Sequence, residues 1–476
     1  MLFNSLEFLI FLLIVFSLFW ISANRKNLRN FIIVLSSYVF YAWWDWRFLT
    51  LMVFTSLCSY YLGLCIDRTE NPQKRKILSA ANIIINILIL IVFKYFNFFS
   101  ENFILLMNRF GFSLKNSFTL KIVLPVGISF YTFQALSYTI DIYRKNIKAT
   151  HNLLDFLSFL SFFPQLVAGP IERAKDLLPQ FSREKAVFSY PFAVDGARQM
   201  LWGFFKKTAL ADNLAPVVDD IFASHGDYSS SMLILGAVFF TFQIYCDFSG
   251  YSDIAIGTAK LFGIRLNENF RFPYFARNIR EFWQRWHISL MTWLRDYIYF
   301  PLGGSRKTIA RTVLNTFVVF AVSGLWHGAN WTFVCWGFYH AVLINILTVL
   351  NLRKKYTQTE NLHNAGSILI TFCLVALGWI IFRAENIQDA FLYIKEMFSS
   401  ELRPSDLISM KHLKLIALIL FMLIAEWFNR ESRHALQIKE KYLFKYRACR
   451  WILYYAVIII ILFMQNSQQA FIYFQF

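Results

Sequence analysis

Long apolar segments, separated by short basic ones, dominate the pattern of this chain. A helix needs about 20 mostly apolar residues to cross a bilayer. Spans are predicted over 9–23, 31–46, 48–66, 79–95, 120–140, 153–170, 195–212, 230–250, 312–326, 331–350, 366–382, 413–428 and 451–464. The pattern therefore predicts an all-α polytopic membrane protein with about 11–13 membrane-embedded helices.

Lys and Arg residues set the predicted orientation, because they concentrate in cytoplasmic loops. One basic cluster at 25–29 directly follows the first span, and another lies at 67–77. Both loops are therefore predicted to be cytoplasmic, with the N-terminus outside. The same rule assigns 353–355 and 430–450 to the cytoplasm, and 384–411 and Phe476 to the outside.

The middle of the chain departs from this pattern. Residues 171–195 and 251–311 are too polar to be simple spans. Charged residues and non-helical backbone are tolerated at membrane depth only where they are buried in protein or line a water-filled cavity. We therefore predict a buried, partly re-entrant centre within a single domain over 1–476, whose motif core covers 120–345.

Composition supports a membrane protein and excludes several classes. Of the 476 residues 57% are hydrophobic and 16% charged, against about 25% charged in soluble domains. The net charge of +18 comes from basic loops between apolar runs, so we expect no nucleic-acid partner. No nucleophile elbow, Walker loop or His-Glu-x-x-His site occurs, and we expect neither a bound metal nor a bound cofactor.

Two histidines in apolar surroundings are the candidate chemical groups, since ionisable residues at membrane depth are costly. His327 follows an apolar run, about 24 Å along a straight helix from Arg311. Gly324 and Gly328 flank it and leave room for another backbone or a substrate. A neutral imidazole there either accepts a proton from a hydroxyl or bonds to a neighbouring helix.

Tryptophans accompany both histidines. Trp326 and Trp331 are predicted to enclose His327. If the segment around His287 is one helix, His287 shares one stripe of that helix with Trp283 and Leu290. The alternative is an interfacial helix on the cytoplasmic face, anchored by its tryptophans and arginines.

Asp247 is a third candidate, because it follows an apolar run that ends at Cys246. It either orients an imidazole or caps the next helix, and capping is the favoured interpretation. A transporter predicts two similar halves or paired broken helices, and the sequence has no such symmetry.

The residues around both histidines form recognisable motifs. The most specific are at 269–274, 281–287, 293–304 and 324–328. Matches also occur at 125–134 and 168–171 and at both chain ends. In these motifs the chain resembles the membrane-bound O-acyltransferases, in particular bacterial alginate and peptidoglycan O-acetylases.

The resemblance implies a ring of tilted helices around a thinned centre with a tunnel. It implies that His327 is catalytic and that His287 is its partner. The expected reaction is acyl transfer from a cytoplasmic thioester, with acetyl-CoA as the expected donor. Arg285 and Arg295 are expected to attract the donor's phosphates. Further supporting residues are expected to be Asp296, Trp326, Asn330 and Asp247.

The resemblance also implies partners and a location. The acceptor is expected to be a cell-surface or cell-wall polysaccharide, reached through an extracytoplasmic acetyltransferase partner. The location is the bacterial inner membrane, with lipid around the helices. Two alternatives remain: a teichoic acid D-alanyl transferase, and a polysaccharide exporter or flippase.

Overall fold

Helices account for all regular secondary structure in the described part of the chain. The computed structural model describes residues 1–112, 120, 125, 127–166, 169–350, 364–438, 445–465 and 469–472. Its α-helices are α1 Leu6–Ile21, α2 Lys26–Ala42, α3 Trp46–Arg68, α4 Pro72–Leu90, α5 Phe96–Arg109, α6 Ile128–Tyr143, α7 Leu153–Ser161, α8 Phe163–Leu166, α9 Ala174–Phe181, α10 Tyr190–Phe204, α11 Asp212–Ala223, α12 Ser230–Leu261, α13 Ile279–Arg285, α14 Ile288–Leu294, α15 Ile309–His327, α16 Trp331–Val349, α17 Ala365–Arg383, α18 Ile387–Ser399, α19 Met410–Phe428 and α20 Arg447–Phe463. Short π-helical segments occupy Ile91–Tyr95, Phe205–Ala211 and Arg295–Tyr299. The predicted all-α class is confirmed.

Six described helical segments are long and apolar enough to cross a membrane. They are α3, the continuous stretch Pro72–Arg109, α12, α15, α16 and α17. Helix α1 is apolar but shorter. The multi-pass character is therefore confirmed, whereas the total of about 11–13 embedded helices, which counts shorter segments, stays a prediction.

Several predicted boundaries differ from the helices. Helix α12 passes the predicted end at 250 and runs to Leu261. The predicted outside segment 384–411 contains the amphipathic helix α18. The basic segment 353–355, part of 430–450, Val126, Ala168 and Phe476 lie outside the described residues, and what the sequence predicts for them stays a prediction.

The chain divides into two compact units. The first contains Met1–Ala193 with Ala259–Asn267, and the second contains Val194–Thr258 with Glu268–Phe476. Both candidate histidines belong to the second unit. The interpretation of 1–476 as one functional domain stays a prediction.

In the second unit, α15 and α16 form a close hairpin because glycines let their backbones touch. A Cβ at Gly324 would overlap the carbonyl oxygen of Phe333, and one at Gly337 would overlap that of Phe320. Small residues at such contacts are typical of helix pairs in membranes. The hairpin brings the end of α15, with His327, next to the start of α16.

A charged contact joins α18 to the turn before α12. The ring nitrogens of His225 lie 2.5 Å from a Glu396 carboxylate oxygen and 3.0 Å from one of Asp389. Partial burial lowers the pKa of His225, but the hydrogen bonds and charges of the two carboxylates outweigh it, so the pKa is raised above its usual 6.5. The contact places this turn on the same side as α18, which is predicted to be outside.

Candidate functional site

His327 lies at the last residue of α15, buried in an aromatic enclosure. Only 4% of its surface is exposed. Its ring centroid lies 5.0 Å from that of Trp326, 5.1 Å from that of Trp336 and 5.2 Å from that of Phe382. Because α15 is continuous from Ile309, the predicted rise of about 24 Å from Arg311 agrees with the helix.

The glycines beside His327 let another part of the chain approach closely, which confirms one of the two predicted alternatives. The backbone of Phe333 fills the position beside Gly324, and the ring of Phe333 fills the position beside Gly328. Protein atoms, and not a substrate, therefore occupy these two positions, and both glycines serve the tight packing of α15 against α16. Trp331 is 51% exposed, and its place in the enclosure stays a prediction.

His287 lies at a break in the chain, not inside a helix. Helix α13 ends at Arg285, α14 begins at Ile288, and His287 has a left-handed φ of 43°. This conformation is uncommon for a residue with a side chain. The predicted stripe of Trp283, His287 and Leu290 on one continuous helix is therefore wrong. The interfacial alternative also does not describe His287, which is 1% exposed.

Asn269 holds His287 in this position. Its backbone carbonyl accepts a hydrogen bond from Ile288 N at 2.9 Å. Its side-chain oxygen lies 2.9 Å from His287 Nδ1 and also accepts from Ser289 Oγ at 2.9 Å. Its amide nitrogen donates to Ser252 Oγ at 3.1 Å. The Asn269 side chain is thus engaged at both ends, with its oxygen assigned to the side of His287 and its nitrogen to the side of Ser252.

The Asn269 contact fixes the tautomer of His287. Because the side-chain oxygen of Asn269 only accepts, Nδ1 of His287 carries the hydrogen, and Nε2 keeps its lone pair. His287 Nε2 is buried without a hydrogen-bond partner among the described residues. His287 lies outside the six spanning segments, and burial lowers its pKa to about 3. The imidazole is therefore neutral at neutral pH, with a lone pair for a substrate hydrogen.

Trp326 connects the two histidines. Its ring centroid lies 5.6 Å from that of His287 and 5.0 Å from that of His327. Phe248 covers another side of His287 at 4.7 Å, edge to face. The structure thus brings His287, from the break between α13 and α14, into one buried site with Trp326 and His327, the last two residues of α15.

Asp247 belongs to a buried ion-pair network inside the second unit. It lies within α12, so the favoured capping interpretation is wrong. Its carboxylate pairs with Lys207 Nζ at 2.8 Å and accepts from Ile472 N at 2.6 Å. Its chain neighbour Phe248 contacts His287. The ion pair therefore holds this part of α12, including Phe248, against His287. A broken buried ion pair is strongly destabilising.

A cavity of about 360 Å³ opens below the aromatic enclosure, towards the basic end of α15. Arg280 and Arg295 line it together with Phe320, whose side chain is buried. Arg280 donates to Thr348 Oγ1 at 3.1 Å, which orients its guanidinium. The cavity size and its two cations suit an anionic ligand of moderate size.

The remaining predicted supporting residues have defined contacts. Arg285 pairs with the buried carboxylate of Glu281 at 2.6 Å, and Asp296 pairs with Arg295 at 2.7 Å. Asn330 caps α16 by accepting from Thr332 N at 3.0 Å, and donates to the Glu385 carbonyl at 2.8 Å. Arg295 thus lines the cavity, whereas Arg285 and Asn330 hold backbone and ion-pair structure.

Comparison with known proteins identifies the family of this chain. The family model described as MBOAT, the membrane-bound O-acyltransferase family, matches residues 38–367. The chain is also 42% identical over 404 residues to the probable alginate O-acetylase AlgI of Pseudomonas aeruginosa, covering 84% of this chain and 75% of that protein. This chain belongs to the membrane-bound O-acyltransferase family.

Other relatives locate the chain within the family. It is 35% identical over 396 residues to the peptidoglycan O-acetyltransferase of Helicobacter pylori, covering 77% of this chain and 73% of that protein. It is 29% identical over 272 residues to the teichoic acid D-alanyltransferase of Bacillus subtilis, covering 54% of this chain and 68% of that protein. This membrane-bound O-acyltransferase is therefore an enzyme, as predicted.

Sequence reasoning missed three parts of the site in this acyltransferase. Asn269 belongs to the motif at 269–274, but the sequence does not indicate that its side chain contacts His287, eighteen positions later. Trp336 and Phe382 reach His327 from α16 and α17. A signal existed for Trp336, which faces the same way as the buried His340 one turn later on α16. Nothing in the sequence indicated Phe382.

Proposed function

We propose that this acyltransferase moves an acetyl group from a cytoplasmic thioester to a polysaccharide outside the bacterial inner membrane. The observation that carries the proposal is the pair of buried histidines on either side of Trp326. One of them, His287, offers a lone pair on a fixed tautomer. An imidazole prepared in this way can hold the acceptor by a hydrogen bond, while the second imidazole, His327, takes the proton of the attacking hydroxyl.

The chemistry is a displacement at a thioester carbonyl. The acceptor hydroxyl oxygen attacks the carbonyl carbon, and His327 takes the hydroxyl proton. The new C–O bond forms, the C–S bond breaks, and the departing thiolate receives that proton. His287 Nε2 accepts a hydrogen bond from a neighbouring donor group of the acceptor and so orients it, which leaves the hydrogen of the attacking hydroxyl to His327. The indole N–H of Trp336 is buried with no hydrogen-bond partner among the described residues, and it supplies a donor for the developing oxyanion.

The donor is proposed to be acetyl-CoA, entering from the cytoplasm. The cavity lined by Arg280 and Arg295 lies at the end of α15 that carries Arg306, Lys307 and Arg311. Such basic ends face the cytoplasm. The two guanidinium groups of the cavity match the phosphates of a coenzyme, while its apolar residues suit the thioester arm. Acetyl-CoA is consumed as a substrate and is not a bound cofactor.

The acceptor is proposed to be an exported polysaccharide, reached directly or through a serine of an extracytoplasmic acetyltransferase partner. The names of the two relatives above, alginate O-acetylase and peptidoglycan O-acetyltransferase, support a polysaccharide acceptor. D-alanyl transfer is less well supported, because the D-alanyltransferase relative matches a smaller share of the chain. Family membership argues against an exporter.

Reconstitution in sealed vesicles tests the proposal. Labelled acetyl-CoA is supplied on the side of the basic loops, and polysaccharide with the candidate partner on the other. We expect label on the polysaccharide only when the protein is present, and omission of the partner then distinguishes direct transfer from transfer through the partner's serine. Transport of unmodified polysaccharide without label, or label from D-alanyl carrier protein only, would refute the acetyltransferase assignment. A His327→Ala preparation provides the matched control.

A further inference from the structure

A third buried histidine, His340, lies between the cavity and the two catalytic candidates. It is fully buried, and neither ring nitrogen has a hydrogen-bond partner among the described residues. Four aromatic rings surround it, with centroids 5.0 Å away for Trp283, 5.2 Å for Trp336 and 6.4 Å for both Phe282 and Phe320. A polar group in such a setting is costly unless a ligand completes it.

The helix stripe that carries His340 leads into the cavity. Ile344 and Thr348, at intervals of four residues after His340, line the cavity. Trp336, four residues before it, contacts the His327 ring at 5.1 Å. Residues at this spacing share one face of an α-helix. His340 therefore lies on the same face of α16 as Trp336 and the cavity residues Ile344 and Thr348.

Helix α15 carries a matching stripe. Thr316 and Phe320 line the cavity, and Ser323 and His327 follow on the same face. The Ser323 hydroxyl is buried without a hydrogen-bond partner among the described residues. From Phe320 to His327 the helix rises about 10 Å. A ligand arm that reaches His327 from the cavity must pass this distance.

Trp283 completes the set from a third helix. It lies one turn after the cavity residue Arg280 on α13, and its ring contacts both His340 and Phe320. Its indole N–H is also buried without a partner in the described part of the chain. The indole N–H of Trp283 and the imidazole of His340 thus lie next to each other, between the two arginines of the cavity and the pair of His287 and His327.

Space for His340 is provided by a glycine. A Cβ placed at Gly378 on α17 would lie 2.8 Å from His340 Nε2. Any larger residue there would push the imidazole aside. Helix α17 therefore accommodates a polar ring that gives no hydrogen bond to the protein.

We propose that His340 and Trp283 form a subsite that hydrogen-bonds the amide groups of the donor's thiol arm. The proposal rests on the thioester donor proposed above and specifies how it is held. A pantetheine arm carries amide carbonyl and N–H groups along an otherwise apolar chain, and these match an imidazole and an indole N–H. Arg280 and Arg295 then bind the phosphate end, and the acyl carbon reaches His327.

Binding of unreactive donor fragments to the full-length protein in nanodiscs tests this subsite. The probes are S-ethyl-CoA, S-ethylpantetheine, which lacks the nucleotide, and adenosine 3′,5′-bisphosphate, which lacks the arm. For His340→Phe we expect about tenfold weaker binding of both arm-bearing probes and unchanged binding of the nucleotide. Arg280→Ala should show the reverse, weakening the nucleotide and S-ethyl-CoA but not S-ethylpantetheine.

Two further variants separate binding from folding. His340→Gln keeps a side chain that can hydrogen-bond, and it should therefore bind the two arm-bearing probes more tightly than His340→Phe does. Gly378→Ala displaces the imidazole and should weaken both arm-bearing probes without touching His340 itself. His340→Phe should unfold at the same temperature as the wild type or higher, because an apolar ring replaces an unpaired polar one.

The outcomes separate this subsite from the donor assignment. If the wild type binds S-ethyl-CoA and His340→Phe binds it equally well, the subsite is wrong and the donor assignment stands. If the wild type binds none of the three probes, nor a carrier protein bearing the S-ethylated arm, the proposed thioester donor and the proposed subsite are both wrong. Binding of the arm on a carrier protein but not on coenzyme A would keep the subsite and change the source of the arm.

Discussion

Replacing Asn269 with Asp or Leu tests how the site prepares His287. In the native structure the Asn269 oxygen accepts from both His287 Nδ1 and Ser289 Oγ, each at 2.9 Å. Asp keeps this acceptor but adds a buried negative charge, which favours the imidazolium. Protonation removes the lone pair on Nε2, so activity should fall.

The sign of the pH dependence follows directly. Burial alone lowers the pKa of His287 to about 3. Protonation of His287 should therefore cause no loss of wild-type activity above pH 5. In Asn269→Asp the pKa of His287 rises, and activity should be lost at low pH and recovered as pH increases. The shift is expected to be one unit or more, since about 1.4 kcal/mol of charge interaction corresponds to one pKa unit.

Asn269→Leu makes a different prediction. It removes three side-chain hydrogen bonds and leaves His287 Nδ1 and the Ser289 hydroxyl buried. At about 1–3 kcal/mol for each unsatisfied buried group, the folding free energy should fall by about 2–6 kcal/mol. Thioester cleavage by purified protein in nanodiscs, measured from pH 5 to 9 alongside thermal unfolding, distinguishes the two variants. Asn269→Asp with wild-type activity at every pH would refute the tautomer argument.

Two further predictions concern charged residues. Arg295→Ala should raise the KM for acetyl-CoA with little loss of folded protein, whereas Arg285→Ala should mainly lower the folded yield, because it removes the 2.6 Å ion pair with the buried Glu281 carboxylate; equal KM values for wild type and Arg295→Ala would refute a role in donor binding. For His225, the folded pKa is raised above 6.5, so its contribution to stability is fully present below pH 6.5 and is lost as pH rises through the folded pKa. The unfolding temperature should therefore decline above pH 6.5 in the wild type and not in His225→Gln, and identical declines in both would contradict the assignment.

The periodicity of apolar residues was enough to predict the long helices, because membrane spans must satisfy their own backbone hydrogen bonds. It also singled out His287 and His327 as ionisable groups in apolar surroundings. Periodicity failed at the His287 break, because a left-handed residue held by Asn269 depends on a contact far along the chain. At Gly324 and Gly328 the sequence left two occupants open, another backbone or a substrate, and the structure shows that Phe333 occupies both positions.

Interactions between distant segments explain the other differences. Asp247 looked like a cap because polar residues often end apolar runs, yet the ion pair with Lys207 allows α12 to continue through it. The sequence gives no signal for His340, because a single histidine in an apolar helix most often has a partner on a neighbouring helix. The structure shows that neither ring nitrogen has a hydrogen-bond partner in the described part of the chain.

The acetyl content of the acceptor polysaccharide in cells that express His327→Ala tests the central claim most directly. Loss of a general base typically costs about 10² to 10⁴ in rate, so acetylation should fall to background while immunoblots show normal protein in the membrane. His434→Ala, which changes another buried histidine of the same unit, serves as the control and should retain acetylation. Normal acetyl content with a fully expressed His327→Ala variant would contradict the proposed mechanism.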